Sequence, residues 1–152
     1  MGVTTFTGPI KAGDVLDTTG TTVGSLKNVG FVALAQSAAV TQSATAAGTS
    51  IVIPANSTIT SIQLLVSVAW SSATTTYTIN VGTSSTATEL VANVAANAVG
   101  VLALTPGTTK AKLDLWANTG TSDVQIYVKS GAPDTTPGSG TLVVTYVQAM
   151  NA

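Results

Sequence analysis

The sequence lacks cysteine, histidine and arginine altogether in its 152 residues. Without cysteine there is no disulfide, no thiolate nucleophile and no thiolate metal ligand. Without histidine the chain lacks the commonest general base and the commonest neutral metal ligand. Zinc sites built from these residues are therefore excluded. We expect no metal, no cofactor and no catalytic site, so the sequence favours a protein that is not an enzyme.

Charged residues are also scarce, at 7% of the chain against about 25% in an average soluble domain. The five positive charges are lysines scattered along the sequence, and they do not form the clustered basic surface that nucleic acids require. We therefore expect no nucleic-acid partner. The net charge of −1 favours association over dispersal, which suits a protein that works in an assembly.

Long apolar runs are missing too. The longest weakly polar stretch, residues 90–104, is interrupted by asparagine and glycine and is shorter than the about 20 residues that span a membrane. The first residues show no basic stretch followed by an apolar run, so we expect no secretory signal. The sequence thus predicts no membrane partner.

Hydroxyl residues are abundant instead, with 28 threonines and 14 serines. Threonine is β-branched and favours strands, where its methyl group packs while its hydroxyl is hydrated. Alternation predicts a long strand at 58–70, with one apolar face formed by Ile62, Leu64, Val66, Val68 and Trp70. Other predicted strands are 31–42 (where a helix is a less favoured alternative), 50–57, 74–82, 98–104, 110–117, 124–129 and 141–150. Pro54 is expected to stop the strand at 50–57, and turns are predicted at 105–109 and 118–123.

Within these strands the pattern assigns inward positions to Tyr77, Ile79, Val81, Leu113, Leu115, Val124, Ile126, Val128, Leu142, Val144 and Tyr146. A single short helix is predicted at 85–95, with Glu89 near its positive N-terminal end and Thr86 or Thr88 as the cap. Many short strands joined by Gly, Pro, Ser and Thr turns predict an all-β domain, an antiparallel β-sandwich or jelly roll, over residues 31–152. Residues 1–30, rich in Gly and Thr with scattered apolar residues, predict an extended N-terminal arm.

The aromatic residues suggest two surfaces. Trp70 shares the apolar face of its strand and is expected in the core. Trp116 and Tyr127 are expected on the outward faces of neighbouring strands, which makes them candidates for an oligomer interface. Stacking on a sugar is a less favoured alternative for the pair, and isolated exposure is another.

The stretches "TTFTGPIKAG", "NVGFVALAQSAAV", "IPANSTITSIQLLVSVAW" and "TYTINVGTSSTATELVANVA" resemble small structural proteins of tailed bacteriophages, above all capsid decoration (cement) proteins and related head structural proteins, particularly those of marine phages. The resemblance extends from residue 4 to about residue 104 and carries no catalytic residue. It implies a virion protein, made in the host cytoplasm, that binds and stabilises the outside of a capsid. Its partners would be the major capsid protein and further copies of itself, as a homotrimer.

The resemblance also implies a role for the arm, which would lie across capsid subunits or neighbouring copies. A segment that becomes ordered on binding covers a large surface with few residues. Its small apolar anchors would be Phe6, Ile10, Val15, Leu16, Val23 and Leu26. Two alternatives remain: the arm is merely a disordered tail, or the whole protein is a receptor- or glycan-binding module of a head fibre or tail.

Overall fold

The computed structural model describes residues 32–72, 77–134 and 136–148. These residues form two four-stranded antiparallel sheets and one short helix. The first sheet has the strand order β1-β8-β3-β6 and the second has the order β2-β7-β4-β5. The elements are β1 (Val32–Thr41), β2 (Ala47–Ile53), β3 (Ser57–Val68), β4 (Thr78–Gly82), β5 (Val91–Ala95), β6 (Gly100–Leu104), α1 (Lys110–Ala117), β7 (Val124–Ser130) and β8 (Ser139–Gln148). The predicted antiparallel sandwich is confirmed, whereas the predicted arm lies outside the described residues.

The core lies between the two sheets and is built by alternation along each strand. In β8 the inward residues Leu142, Val144 and Tyr146 are fully buried, and in β7 so is Ile126. These inward positions were predicted from the sequence. Because burying one large aliphatic side chain contributes about 1.5–3 kcal/mol, the paired inner faces supply most of the driving force for this fold.

The predicted face of β3 is wrong at its end. A register shift against β8 falls between Val66 and Val68, and Val68 is 44% exposed instead of buried. The bulge ends the alternation, because an extra residue in one strand changes which side the next side chain faces. Trp70, just beyond the strand, is buried as predicted, at 2% exposure.

The helix predicted at 85–95 is also wrong. Residues 83–90 form a turn, and residues 91–95 form the edge strand β5. Ala87 and Asn93 have φ angles of 54° and 55°, in the left-handed region that a right-handed helix cannot use. The spacing of Leu90, Val91 and Val94 instead reflects packing of a turn and a short strand on the core.

The strand predicted at 110–117 is in fact the helix α1. Leu113 and Leu115 are two positions apart, which would place them on the same face of a strand. On a helix, residues two positions apart point in very different directions. Leu113 is therefore exposed, whereas Leu115 and Trp116 pack against the core. Alanine, lysine and leucine are good helix formers, and Lys110 and Asp114 pair one turn apart at 2.6 Å.

A buried glutamine at the end of β1 connects the two sheets. Gln42 Nε2 donates to the carbonyl oxygens of Ser71 and Gly131, at 2.6 and 3.3 Å. Its Oε1 accepts from the backbone N–H groups of Ser71 and Gly138, at 3.2 and 3.0 Å. The amide thus holds together the loop that leaves β1, the segment after β3, the loop after β7 and the residue just before β8.

Candidate interaction surface

Ionisable side chains are few among the described residues. None of them form a group of three or more carboxylates that could hold a metal ion. In the same part of the chain, no helix has the length and apolarity needed to cross a bilayer. The features that stand out are surfaces, and they differ between the two sheets.

Charge is distributed unevenly over the sandwich. Seven charged residues fall within the described ranges, and none of them lies in a strand of the first sheet. One lies in β7 of the second sheet, three lie on α1 and three lie in turns and loops: Lys129, Lys110, Lys112, Asp114, Glu89, Asp123 and Asp134. The outer surface of the first sheet is therefore neutral across all four strands.

We call this surface the uncharged face. Its outward residues are small, hydroxyl-bearing or aliphatic, with one amide and no aromatic ring. They include Ala33, Ala35, Ser37 and Ala39 of β1, Ser139, Thr141, Val143, Thr145 and Val147 of β8, Thr58, Ser61, Gln63, Leu65 and Ser67 of β3, and Val101 and Ala103 of β6.

Cross-strand register places these residues in continuous rows. Ala39 lies opposite Thr141, Thr141 opposite Leu65, and Leu65 opposite Val101. Neighbouring side chains on one face of a sheet are close enough to form a continuous surface. The four strands thus present one uninterrupted neutral patch.

One corner of the uncharged face is strongly apolar. Leu65 and Val101 are 41% and 70% exposed, and Val68 and Val99 are exposed beside them. An open cavity of about 170 Å³, lined by residues 95 and 97–102, adjoins this corner. Contiguous exposed apolar side chains indicate a contact surface, whereas single exposed ones do not.

The turn between β4 and β5, beside the second sheet, is held together by the carboxylate of Glu89. Glu89 accepts hydrogen bonds from the backbone N–H groups of Thr83 and Thr88, at 3.2 and 2.9 Å, and from the hydroxyls of Ser84 and Thr86. Partial burial raises the pKa of Glu89, but these hydrogen bonds outweigh it and hold the pKa below its ordinary value. Glu89 therefore stabilises the turn as a carboxylate, and the role predicted for it at a helix N-terminus is wrong.

This turn lies tightly against β4. A Cβ at Gly82 would lie 1.9 Å from Glu89 Oε2 and 2.6 Å from the Ala87 Cα. Only glycine leaves room for the carboxylate and the backbone above it. The hydrogen bonds described for Glu89 are all made within its own turn.

The two aromatic candidates are not arranged as predicted. Trp116 belongs to α1, packs against the core and donates its indole N–H to the carbonyl oxygen of Leu90 at 3.1 Å. Tyr127 is half-buried in β7. It lies opposite Gly82 of β4 and Gly48 of β2. The two residues are therefore not neighbours on adjacent strands, and their part in an oligomer interface remains a prediction.

The predicted arm residues Phe6, Ile10, Val15, Leu16, Val23 and Leu26 lie outside the described residues. The uncharged face was missed in the sequence. A signal for it exists, because residues 31–42, 58–70, 98–104 and 141–150 contain no charge. That signal acquires meaning only when the topology joins these four segments into one sheet.

Comparison with known proteins gives a fold neighbour. No protein-family model matches the chain, and no curated protein matches it. A chain in the solved structure of the cyanophage Pam1 capsid asymmetric unit superposes on this protein with a TM-score of 0.57 and 19% sequence identity. The match covers 79% of this chain and 87% of that chain, so the two are of similar length. At this level of identity the similarity establishes a shared fold.

Proposed function

We propose that this protein is a structural component of a phage virion that binds the outside of the capsid and stabilises it, without catalysing a reaction. The observation that carries the proposal is the shared fold with a chain of a phage capsid asymmetric unit. The two chains have similar lengths, so the likeness concerns the whole sandwich and is not limited to a small motif.

The surface chemistry supports a binding role. The neutral outer surface of the first sheet has the depletion of charge that is typical of the centre of a protein–protein interface. The carboxylate with the most hydrogen bonds, Glu89, is engaged in its own turn. These features favour association with other proteins over chemistry on a small molecule.

Stabilisation would come from added burial. Each copy would bridge adjacent subunits of the shell, so rupture of the shell would also have to break the contacts of each bridging copy. Attachment as a homotrimer would multiply weak individual contacts into high avidity. The arm, residues 1–30, would contribute through the apolar anchors at positions 6, 10, 15, 16, 23 and 26.

The alternative, a receptor- or glycan-binding module of a head fibre or tail, has less support. A sugar platform needs exposed aromatic rings side by side. Trp116 instead packs inward from α1, and the uncharged face carries no aromatic residue.

Two measurements test the proposed function. Purified virions should contain far more copies of this protein than of any tail or fibre protein, as judged by quantitative gels. Purified protein should also bind capsids that lack it and raise the temperature at which they rupture. A copy number equal to that of a tail protein would support the receptor- or glycan-binding alternative.

The arm has its own test. Deleting residues 2–28 should weaken binding to undecorated capsids at least tenfold, or about 1.4 kcal/mol. The thermal unfolding of the free domain should hardly change, because the described core begins at β1. If the truncated protein binds capsids as tightly as the full chain, the arm is only a tail. If the truncated protein is unfolded, the arm is part of the sandwich.

A further inference from the structure

We propose that the uncharged face is the surface through which copies of this chain bind one another. The proposal goes beyond capsid binding and is testable without capsids. It also assigns self-association to a surface other than Trp116 and Tyr127.

The first argument is area. The longest strands of the face contain 12 and 10 residues. With a rise of about 3.3 Å per residue and about 4.8 Å between strands, the four-stranded face measures roughly 33 by 19 Å, or about 600 Å². A standard protein–protein interface buries about 800 Å² per partner. The face therefore supplies most of one such interface without any rearrangement.

The second argument is the chemistry of the occupant. A charged partner would bury charges against a neutral sheet that offers no counter-ion, which is costly. The face has no aromatic rings to stack on sugars or bases, and no lysine to attract anionic lipid or nucleic acid. The matching surface must itself be neutral and built of small side chains. Another copy of the chain carries such a surface in the same sheet, so two copies would pair face to face about a two-fold axis, and a homotrimer would need a further contact outside this face.

The third argument is the apolar corner. Leu65 and Val101 are directly opposed across β3 and β6, and both are exposed. Burying these neighbouring aliphatic side chains against a partner would remove apolar surface from water, which contributes about 25 cal/mol per Å². The hydroxyls and the Gln63 amide nearby can form hydrogen bonds between copies without introducing charge.

The experiment compares one charge inserted into each sheet of the full-length protein. Leu65→Glu and Ala35→Glu place a carboxylate on the uncharged face, and Ser50→Glu places one at an exposed position of β2 in the second sheet. Association is measured by sedimentation equilibrium across a wide concentration range. Circular dichroism and thermal unfolding check that each variant is folded.

We expect the wild-type protein and Ser50→Glu to associate with similar dissociation constants. Leu65→Glu and Ala35→Glu should raise the dissociation constant at least a hundredfold, because a carboxylate would be buried without a partner. Tyr127→Glu should have little effect, since it lies on the second sheet.

Three results would overturn the proposal: a wild-type protein that stays monomeric at every concentration, equal weakening by Ser50→Glu, or association that the face variants leave intact. A monomeric wild type whose face variants lose capsid binding would assign the face to the shell. A wild type that self-associates through this face but does not bind capsids would leave the inference standing and refute the proposed capsid function.

Discussion

The two sheets of this sandwich are alike on the inside and unlike on the outside. Leu142 in the central strand β8 and Ile126 in the central strand β7 are both fully buried. On the outside, the first sheet is free of charge, whereas the second carries Lys129 and is bordered by the Glu89 turn. Folding requires the inner faces to match, but it places no such demand on the outer ones. The difference in charge between the two outer surfaces is therefore better explained by what each surface contacts than by folding.

The largest expected effect tests whether the inner faces are equivalent. Leu142→Ala and Ile126→Ala each remove buried methyl groups from the centre of one sheet and leave a cavity. Each should lower the free energy of unfolding by about 3 kcal/mol, within the usual range of about 2–5 kcal/mol. Chemical denaturation monitored by circular dichroism measures both values.

A matched control keeps this test specific. Ala103→Ser on the outer surface of β6 changes an exposed residue and should alter stability by less than about 0.5 kcal/mol. If one core variant proves neutral while the other unfolds the protein, the sheets do not share one cooperative core, and the comparison of equivalent inner faces fails.

Much of the fold could be predicted from the sequence, because long alternating runs define strands on their own. The inward residues of β8 and β7 followed from alternation, and Pro54 marked the end of β2 as expected. Turn chemistry was also visible at Gly107 and Gly120, which have φ angles of 70° and 100°. These features depend on local sequence, so no knowledge of tertiary contacts was needed.

The wrong secondary-structure predictions occur where tertiary contacts determine whether a segment forms a helix, a strand or a turn. Residues 110–117 alternate like a strand, yet their helix propensity and the packing of Leu115 and Trp116 favour α1. Residues 85–95 have helical spacing, yet hydrogen bonds to Glu89 fix the backbone of 83–88 as a turn. The candidate surface was invisible for the same reason, since its four strands are distant in sequence and adjacent only in the sheet.

The next prediction contrasts two buried glutamines. Gln42 makes four hydrogen bonds between segments of both sheets, so Gln42→Leu should destabilise the protein by about 2–3 kcal/mol. Gln148 is buried in the first sheet beside Ser57, and neither of its amide atoms has a partner among the described residues. Gln148→Leu should therefore stabilise the protein by about 1 kcal/mol, because it removes a buried amide that has no hydrogen-bond partner in the part of the chain that the structure describes.

Thermal and denaturant unfolding of the two variants, side by side, measures the contrast. Equal destabilisation by both substitutions would mean that Gln148 has hydrogen-bond partners in solution. Selective 15N labelling of the glutamine side chains would then identify them through nuclear Overhauser contacts of the Gln148 amide protons.

A smaller effect concerns the carboxylate of the second sheet. Glu89→Gln keeps the shape but loses the charge that four donors stabilise, and it should cost about 1 kcal/mol at neutral pH, since the side chain is only part-buried. The pKa of Glu89 is lower in the folded than in the unfolded protein, so its stabilisation is present above the ordinary pKa of 4.5. It is lost as the pH falls through the folded-state pKa.

Urea titrations from pH 7 down to pH 3 measure this dependence. The difference in stability between wild type and Glu89→Gln should shrink as the pH falls. A difference that stays constant would show that the turn does not depend on the charge of Glu89.

The smallest expected effect tests whether the charged residues outside the first sheet contribute to stability. Lys110 and Asp114 form an exposed ion pair on α1, with side chains 87% and 60% accessible. Exposed pairs one helical turn apart contribute about 0.2–0.5 kcal/mol, so Lys110→Ala should lower stability by no more than that, and 1 M salt should remove the difference. Thermal unfolding at low and high salt measures it. A loss well above that range would mean that surface charge is needed for folding. The absence of charge on the first sheet would then have to be explained by its effect on stability. A small loss would mean that surface charge contributes little to folding. The absence of charge on the first sheet would then be explained by the partner that the uncharged face contacts.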